Sequence, residues 1–360
     1  YCKENLPRYY HVDPIQDIQV LTPMQRGECG AVNLNQVLQE AMNPTDICLR
    51  RGVVGIPSAR EGSRAKDSTN NALISRLCIV KESDYILFYI TKEHKLYGIW
   101  QADGSPFFDE SRVWSDDLYP YRIRFKNTPY HYDAPLELHD IYDLRNEGKI
   151  WNFSLNRASG TNVMFSISDN EFRTLLYEYS KINPYTNSRH LILEPYPIIV
   201  SSLLDKICLN DENQLKYEAG VMAYLLSDLT VNRHKDLFGN YTDYLCYAPT
   251  NTGREIDILL MFGNPLQPDQ ISSYDILELK KDIFDEKALS QLINYETWFL
   301  QNKASGDQKM VRSTAIAHSF SQEVIDYVKM RKRIENKPIK LVKYSLTQEK
   351  QLKLELLNNS

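Results

Sequence analysis

The stretch Arg254-Glu255-Ile256-Asp257-Ile258-Leu259-Leu260, answered downstream by Ile276-Leu277-Glu278-Leu279-Lys280, decides how this chain is read. Both halves run almost without interruption through β-branched and aliphatic residues, the pattern of buried strands. A carboxylate inside such a strand is expensive to bury unless it is paired or bound to a cation. Side chains alternate along a strand, so Glu278 and Lys280 point one way while Leu277 and Leu279 point the other. If the Asp257 strand pairs with this one, two acids and a lysine meet at one spot. Adjacent carboxylates repel each other and favour a hard divalent cation such as Mg²⁺, which prefers oxygen ligands. A lysine beside them can orient a water or stabilise charge on a phosphate. That is the outline of a phosphodiester-cutting site. The plainer alternative is that Glu278 and Lys280 form an exposed pair on an edge strand.

An acid, a gap and then (Asp/Glu)-x-Lys is the pattern of the PD-(D/E)XK nuclease superfamily. Through Asp257 and Glu278-Leu279-Lys280 the chain resembles that superfamily, in particular its RecB-like and NucS-like branch. Asn213 to Met222 looks like the family's opening helix, whose glutamate is then Glu218. Gln291-Leu292-Ile293-Asn294-Tyr295 matches the Gln-x-x-x-Tyr of RecB-like nucleases, and residues four apart share a helix face. Thr314 to Ala317, a helical stretch from Ser321 to about Arg333, and Ile339 to Tyr344 complete an α/β order of this kind over residues 205–345. The resemblance implies Mg²⁺, with Mn²⁺ as a substitute, held by Asp257, Glu278 and the carbonyl of Leu279. Glu218 is then a water-mediated contact, Lys280 positions the attacking water, and Gln291 and Tyr295 steady the site or the DNA backbone. Glu218 as a solvated helix residue, and Gln291 and Tyr295 as ordinary amphipathic positions, are the alternatives. By analogy with enzymes that cut both strands, a homodimer is expected.

A chain of 360 residues implies two or three domains. A hydrophobic share of 42% with 25% charged residues is ordinary globular material. No stretch approaches the ~20 apolar residues of a membrane span, and the start shows no signal peptide. Six scattered cysteines (Cys2, Cys29, Cys48, Cys78, Cys208, Cys246) include no Cys-x-x-Cys pair, which suits reduced thiols in a cytoplasmic protein. The net charge of −5 argues against a nonspecific polycationic DNA binder. Local patches can still meet phosphates, and Lys329-Met330-Arg331-Lys332-Arg333 with Lys337, Lys340 and Lys343 is one such candidate or else a solvated helix face.

Residues 45–183 have a different character. Val53 to Pro57, Asp84 to Ile90, Leu96 to Ala102 and Tyr121 to Lys126 are expected strands, with a polar turn at Lys92 to Lys95 and a loop or helix over Ser58 to Asn71. Short, closely spaced strands suggest a small barrel. Tyr85 to Tyr89, Gly98-Ile99-Trp100, Pro106 to Glu110, Val113-Trp114 and Tyr119 to Ile123 resemble the EVE domain of the PUA-like superfamily, akin to YTH domains. That resemblance implies nucleic-acid binding, with a modified base held in an aromatic pocket. Trp100, Trp114, Phe107, Phe108, Tyr119 and Trp151 are the available platforms, and Arg122 and Arg124 could meet phosphates on one face. The alternative is that these aromatics fill the core.

Asn-, Pro- and Tyr-rich sequence makes 184–204 an expected linker. In residues 1–44, Asp17 to Gly27 and Ala31 to Pro44 resemble a strand, loop and helix (Val32 to Met42) from a RecD-like helicase. No Gly-x-x-x-x-Gly-Lys-Ser/Thr phosphate loop exists in the chain, so no ATP hydrolysis is expected. The expected fold is α/β and α+β multidomain: a small PUA-like β-barrel, then a PD-(D/E)XK domain over 205–360. The expected function is a metal-dependent DNA endonuclease, read first as modification-dependent restriction. A NucS-like repair nuclease acting on mismatched, branched or single-stranded DNA, and a DNA- or RNA-binding module with a vestigial nuclease fold, are the other readings.

Overall fold

The computed structural model describes residues 18–20, 44–59, 62–90, 93–114, 117–129, 131–153, 164, 166–185, 190–199, 201–250 and 254–357. The chain divides between Lys206 and Ile207 into two units. Each is mixed α/β, and the division falls two residues beyond the expected start of the nuclease-like part.

The first unit is built on strands β1 (Ile18–Val20), β2 (Val53–Ile56), β3 (Tyr85–Ile90), β4 (Lys95–Ala102), β5 (Phe107–Phe108), β6 (Tyr121–Asn127) and β7 (Leu136–Glu137). Helices α1 (Pro44–Arg51), α2 (Lys66–Leu77), α3 (Leu138–Asn146) and α4 (Asp169–Ile182) accompany them. Among the described residues the sheet runs β1-β3-β4-β6-β2, with β5 on β6 and β7 on β4. Among the described residues the end strands β1 and β2 do not pair, and the expected closed barrel is not found. The individual strands match the alternating segments read from sequence. Within the first 44 residues, Ile18–Val20 is a strand added antiparallel to β3. The helix expected over Val32 to Met42 lies outside the described residues.

The expected linker is also different. Tyr196 is buried in a cluster with Cys48, Val53, Phe107, Trp114 and Tyr119, so this segment completes the first unit's core. Gly55 shows how tightly that core is built, since a Cβ there would sit 2.7 Å from Tyr119 and 2.8 Å from the Trp114 ring. At the start of α4, Ser168 and Glu171 form a capping box, each side chain bonding the other's backbone N–H.

The second unit is a six-stranded sheet ordered β13-β12-β11-β10-β9-β8. Its strands are β8 (Asp243–Pro249), β9 (Glu255–Asn264), β10 (Gln267–Phe284), β11 (Val311–Phe320), β12 (Ile339–Leu346) and β13 (Leu352–Leu356). The centre, β10-β11-β12, is parallel, and the outer pairings are antiparallel. Parallel neighbours require crossovers, and these are α7 (Glu286–Asn302) and α8 (Gln322–Glu335). Asp285 caps α7 by accepting from Ala288 N, and Ser321 caps α8 by accepting from Val324 N. Ile256, Ile258, Leu259, Leu260, Ile276, Leu277 and Leu279 are all buried, as unbroken apolar runs in the centre of a covered sheet should be.

Ahead of this sheet lie α5 (Glu218–Thr230) and the short α6 (Lys235–Phe238). The expected opening helix starts later than Asn213. Asn213 is left-handed (φ 57°), Leu215 bridges Leu209, and Tyr217 is extended, so the helix begins at Glu218 itself.

The expected basic patch on α8 and β12 is partly consumed within the fold. Arg331 is buried and donates to Glu296 at 2.5 and 3.1 Å, while Lys337 also pairs with Glu296 and Ser313 donates to it. Burial works against the Glu296 charge, but these donors outweigh it and hold its carboxyl below the ordinary value. Lys340 donates to the Leu237 carbonyl at 3.0 Å. Breaking a buried ion pair from one side costs about 3–5 kcal/mol, whereas exposed substitutions stay within about 0.5 kcal/mol. Urea unfolding of the full chain should therefore show a loss of about 3 kcal/mol in the second unit for Arg331→Ala and almost none for the exposed Lys329→Ala.

Candidate active site

The antiparallel register of β9 and β10 pairs Leu277 with Ile258, and one further step sets Asp257 against Glu278. The N–H of Leu279 donates to Asp257 Oδ2 at 2.8 Å, which fixes that carboxylate against the neighbouring strand. Glu278 is fully buried, accepts from Lys280 Nζ at 2.7 Å through Oε1, and leaves Oε2 without a hydrogen-bond partner. Lys280 Nζ donates also to the Leu279 carbonyl at 2.8 Å and lies 3.6 Å from Glu218 Oε2. Glu218 is the first residue of α5, which places its carboxylate at the helix end facing this cluster.

Electrostatics follow from this crowding. Burial, helped by the Glu218 charge and opposed by Lys280, raises the Asp257 carboxyl to about 7. Burial and then the neighbouring Asp257 raise Glu278 to about 9. Burial disfavours the Lys280 charge, but Glu278, Asp257 and Glu218 together outweigh it and hold the ammonium well above its ordinary range. The structure thus brings together Asp257, Glu278, Lys280 and Glu218. Gln291 and Tyr295 come to its edge: Gln291 Nε2 donates to the Tyr295 hydroxyl at 2.8 Å, and that hydroxyl donates to the Glu255 carbonyl at 2.7 Å. Burial and then Glu278 push the Tyr295 hydroxyl up to about 12.

The donor set fits a hard cation in one respect and limits it in another. Two carboxylates and the Leu279 carbonyl converge, and an oxygen of Glu278 is buried without a donor, which a divalent ion would satisfy. Among the described residues, however, no group of three or more His, Cys, Asp or Glu side chains surrounds one point that could hold a metal. An ion here would keep water in its remaining positions, as Mg²⁺ usually does. The Lys280 ammonium already bonds two of the same oxygens, those of Glu278 and Leu279.

A second fully buried acid on β10 escaped sequence reasoning. Asp275 has no exposure, accepts from Thr314 Oγ1 at 2.9 Å, and lies 3.9 Å from Lys340 Nζ. Strand alternation puts it on the face opposite Glu278. Its signal was weaker than that of Glu278, since it stands after Ser272-Ser273-Tyr274 at the head of the apolar run and not inside it.

The residues expected to read a base are placed differently from that expectation. Trp100, Trp114, Phe107 and Tyr119 are buried. Trp100 packs on Phe88 and Phe125, and Trp114 packs edge-on against Tyr119. Phe108 is half-buried, edge-on to Tyr121, with Lys206 Nζ 4.1 Å above its ring. Trp151 is half-buried, and its backbone N–H donates to Glu171. Arg122, expected to meet phosphates, is 0% exposed. Its guanidinium donates to Asp109 at 2.5 Å, to the Tyr196 hydroxyl at 2.7 Å and to the carbonyls of Tyr119 and Leu118. Arg124 pairs with Asp103 at 2.6 Å. Apolar burial of the rings and local carboxylates for the arginines account for these placements.

No family model and no curated protein matches the chain. Among solved structures it is similar to an EndoMS complex with double-stranded DNA at 17% identity and a TM-score of 0.24, over 33% of this chain and 43% of that one. It is also similar to a repair endonuclease from Pyrococcus abyssi at 13% identity and a TM-score of 0.23, over 73% of this chain and 80% of that one.

Both site carboxyls are raised in the folded chain, so folding holds their protons where the unfolded chain has released them. The associated stability is full below about pH 4 and is lost as pH rises through about 7 and then about 9. A metal-free Asp257→Asn/Glu278→Gln variant should therefore melt above the wild type, by a margin that widens from pH 5 to pH 9 and narrows when Mg²⁺ is added. Differential scanning calorimetry across that range reads the margin directly.

Proposed function

We propose that residues 207–357 form a metal-dependent DNA endonuclease that acts on irregular DNA such as mismatched, branched or single-stranded segments. The observation that carries this reading is the meeting of Asp257 and Glu278 on neighbouring strands with Lys280 bonded to Glu278, one Glu278 oxygen buried and without a donor. Two carboxylates this close are costly to ionise together, and a bound cation would offset that cost.

Asp257, Glu278 and the Leu279 carbonyl would hold Mg²⁺ or Mn²⁺. When bound, such an ion supplies Lewis-acid stabilisation of the phosphoryl charge and of the leaving oxygen. Lys280, whose ammonium lies against the Glu278 and Leu279 oxygens, would position the attacking water and shield the phosphate charge. Water adds to phosphorus, the bond to the leaving deoxyribose oxygen breaks, and that oxygen takes up a proton. Glu218, at the helix end 3.6 Å from Lys280, accepts hydrogen bonds from water at the site mouth. Tyr295 does not act on substrate; its hydroxyl is committed to the Glu255 carbonyl and holds β9 in register.

A modification-dependent restriction role calls for an open aromatic pocket in residues 45–183, and the aromatics there are mostly packed inside. The structure-directed reading is therefore preferred. Cutting both strands takes two such sites, so a homodimer on DNA completes the proposal. Among the described residues no helix is long and apolar enough to cross a membrane.

The test is cleavage of matched plasmids, unmodified, methylated and hydroxymethylated, beside mismatched, branched and single-stranded oligonucleotides, with Mg²⁺, Mn²⁺ or EDTA. Irregular DNA should be cut with either metal and spared in EDTA. Asp257→Ala and Lys280→Ala should each lower the rate about 10²–10³-fold. Cutting confined to one modified plasmid would restore the restriction reading. Binding without any cutting would leave a binding module.

A further inference from the structure

Within the second unit a cavity of about 640 Å³ opens at the carboxyl ends of the parallel strands. Its walls come from the segment before α5, the end of β10, His318 on β11, Tyr344 on β12 and the turn that follows β12. Crevices beyond the carboxyl ends of parallel strands are where α/β sheets bind ligands, and this volume is within the roughly 300–1,000 Å³ of small-molecule sites.

The cavity adjoins the carboxylate site through the backbone. Between the pairs Lys280↔Ala317 and Ile283↔Ser319, β10 carries one residue more than β11. This bulge lies directly after Lys280, and bulges re-aim side chains beside active sites. Lys281 and Asp282, within it, form part of the cavity wall. One strand residue advances about 3.3 Å, so the wall starts one short step from the lysine that would face the scissile phosphate. The Tyr344 hydroxyl donates to the Lys281 carbonyl, tying the far wall to the same strand.

We propose that this cavity is a subsite for one unpaired nucleotide of the DNA, adjacent to the phosphate being cut, with its base inside. The proposal rests on the nuclease reading above. A nucleobase offers a flat apolar face and an edge of mixed donors and acceptors. The His318 and Tyr344 rings, 6.0 Å apart and tilted by 65°, supply aromatic surface. Asn213, Gln214 and Gln348 supply amides, each able to donate and accept. The charges balance, Lys281 and Lys350 against Glu212 and Asp282, which suits a neutral ring better than a free polyanion.

His318→Ala and Gln348→Ala test the subsite, since both side chains are exposed and neither belongs to the catalytic group. The full chain is given a duplex with a single unpaired nucleotide, and the same duplex with an abasic residue at that position. The wild type should bind the base-bearing DNA in EDTA, and cut it with Mg²⁺, about tenfold better than the abasic form. Each variant should lose that discrimination and treat the abasic DNA as the wild type does. Equal handling of the two DNAs by the wild type, or unchanged discrimination in both variants, overturns the subsite. Absence of cutting by the wild type on every DNA overturns the nuclease reading instead, and the ratio of binding constants in EDTA still decides the subsite.

Discussion

Two carboxylates held side by side between apolar strands set the terms for the second unit. Glu278 is wholly buried and Asp257 partly so, among the buried Ile256, Ile258, Leu277 and Leu279, and that apolar setting is what makes their charges expensive. Lys280 offsets part of that cost by bonding one Glu278 oxygen, and the Leu279 N–H offsets part of it at Asp257. What the protein itself does not satisfy is the second Glu278 oxygen. The surrounding helices are arranged about this pair: α5 begins with Glu218 facing Lys280, and α7 brings Tyr295 to the first residue of β9.

Much of this was legible because the strands could be little else. Unbroken runs such as Ile256 to Leu260 and Ile276 to Leu279 belong in the centre of a sheet, and an acid within them stands out. The start of α5 was not legible to the residue. Asn213 to Tyr217 carries no helix breaker in type, and it is a left-handed Asn213 and a bridge between Leu209 and Leu215 that keep it out of the helix. The burial of Arg331 was hidden in the same way. Its partner Glu296 lies on another element and is shared with Lys337, and a run of basic residues looks the same whether or not one of them turns inward.

In the first unit the strands were visible and the closure was not. Alternation reports which residues share a face, whereas closing a sheet depends on pairing between its first and last strands. Arg122 illustrates the limit. It occupies an ordinary position in Tyr121-Arg122-Ile123-Arg124, yet Asp109, Ser111 and Tyr196 reach it from loops on either side in sequence. Its planar fork, fully used, makes it the polar centre of a core otherwise filled by aromatics. The expected linker is drawn in by that same contact, through the hydroxyl of Tyr196.

The junction between β10 and α7 leaves no slack. Phe284 ends the strand, Asp285 is at once the connection and the helix cap, and Glu286 begins the helix. Each residue turns an α-helix by about 100°. Inserting or deleting one residue at the junction would swing Tyr295 to another side of α7 and away from the Glu255 carbonyl. The spacing from Lys280 to Tyr295 therefore behaves as a fixed length: point changes along it are open to variation, and changes in residue count are not.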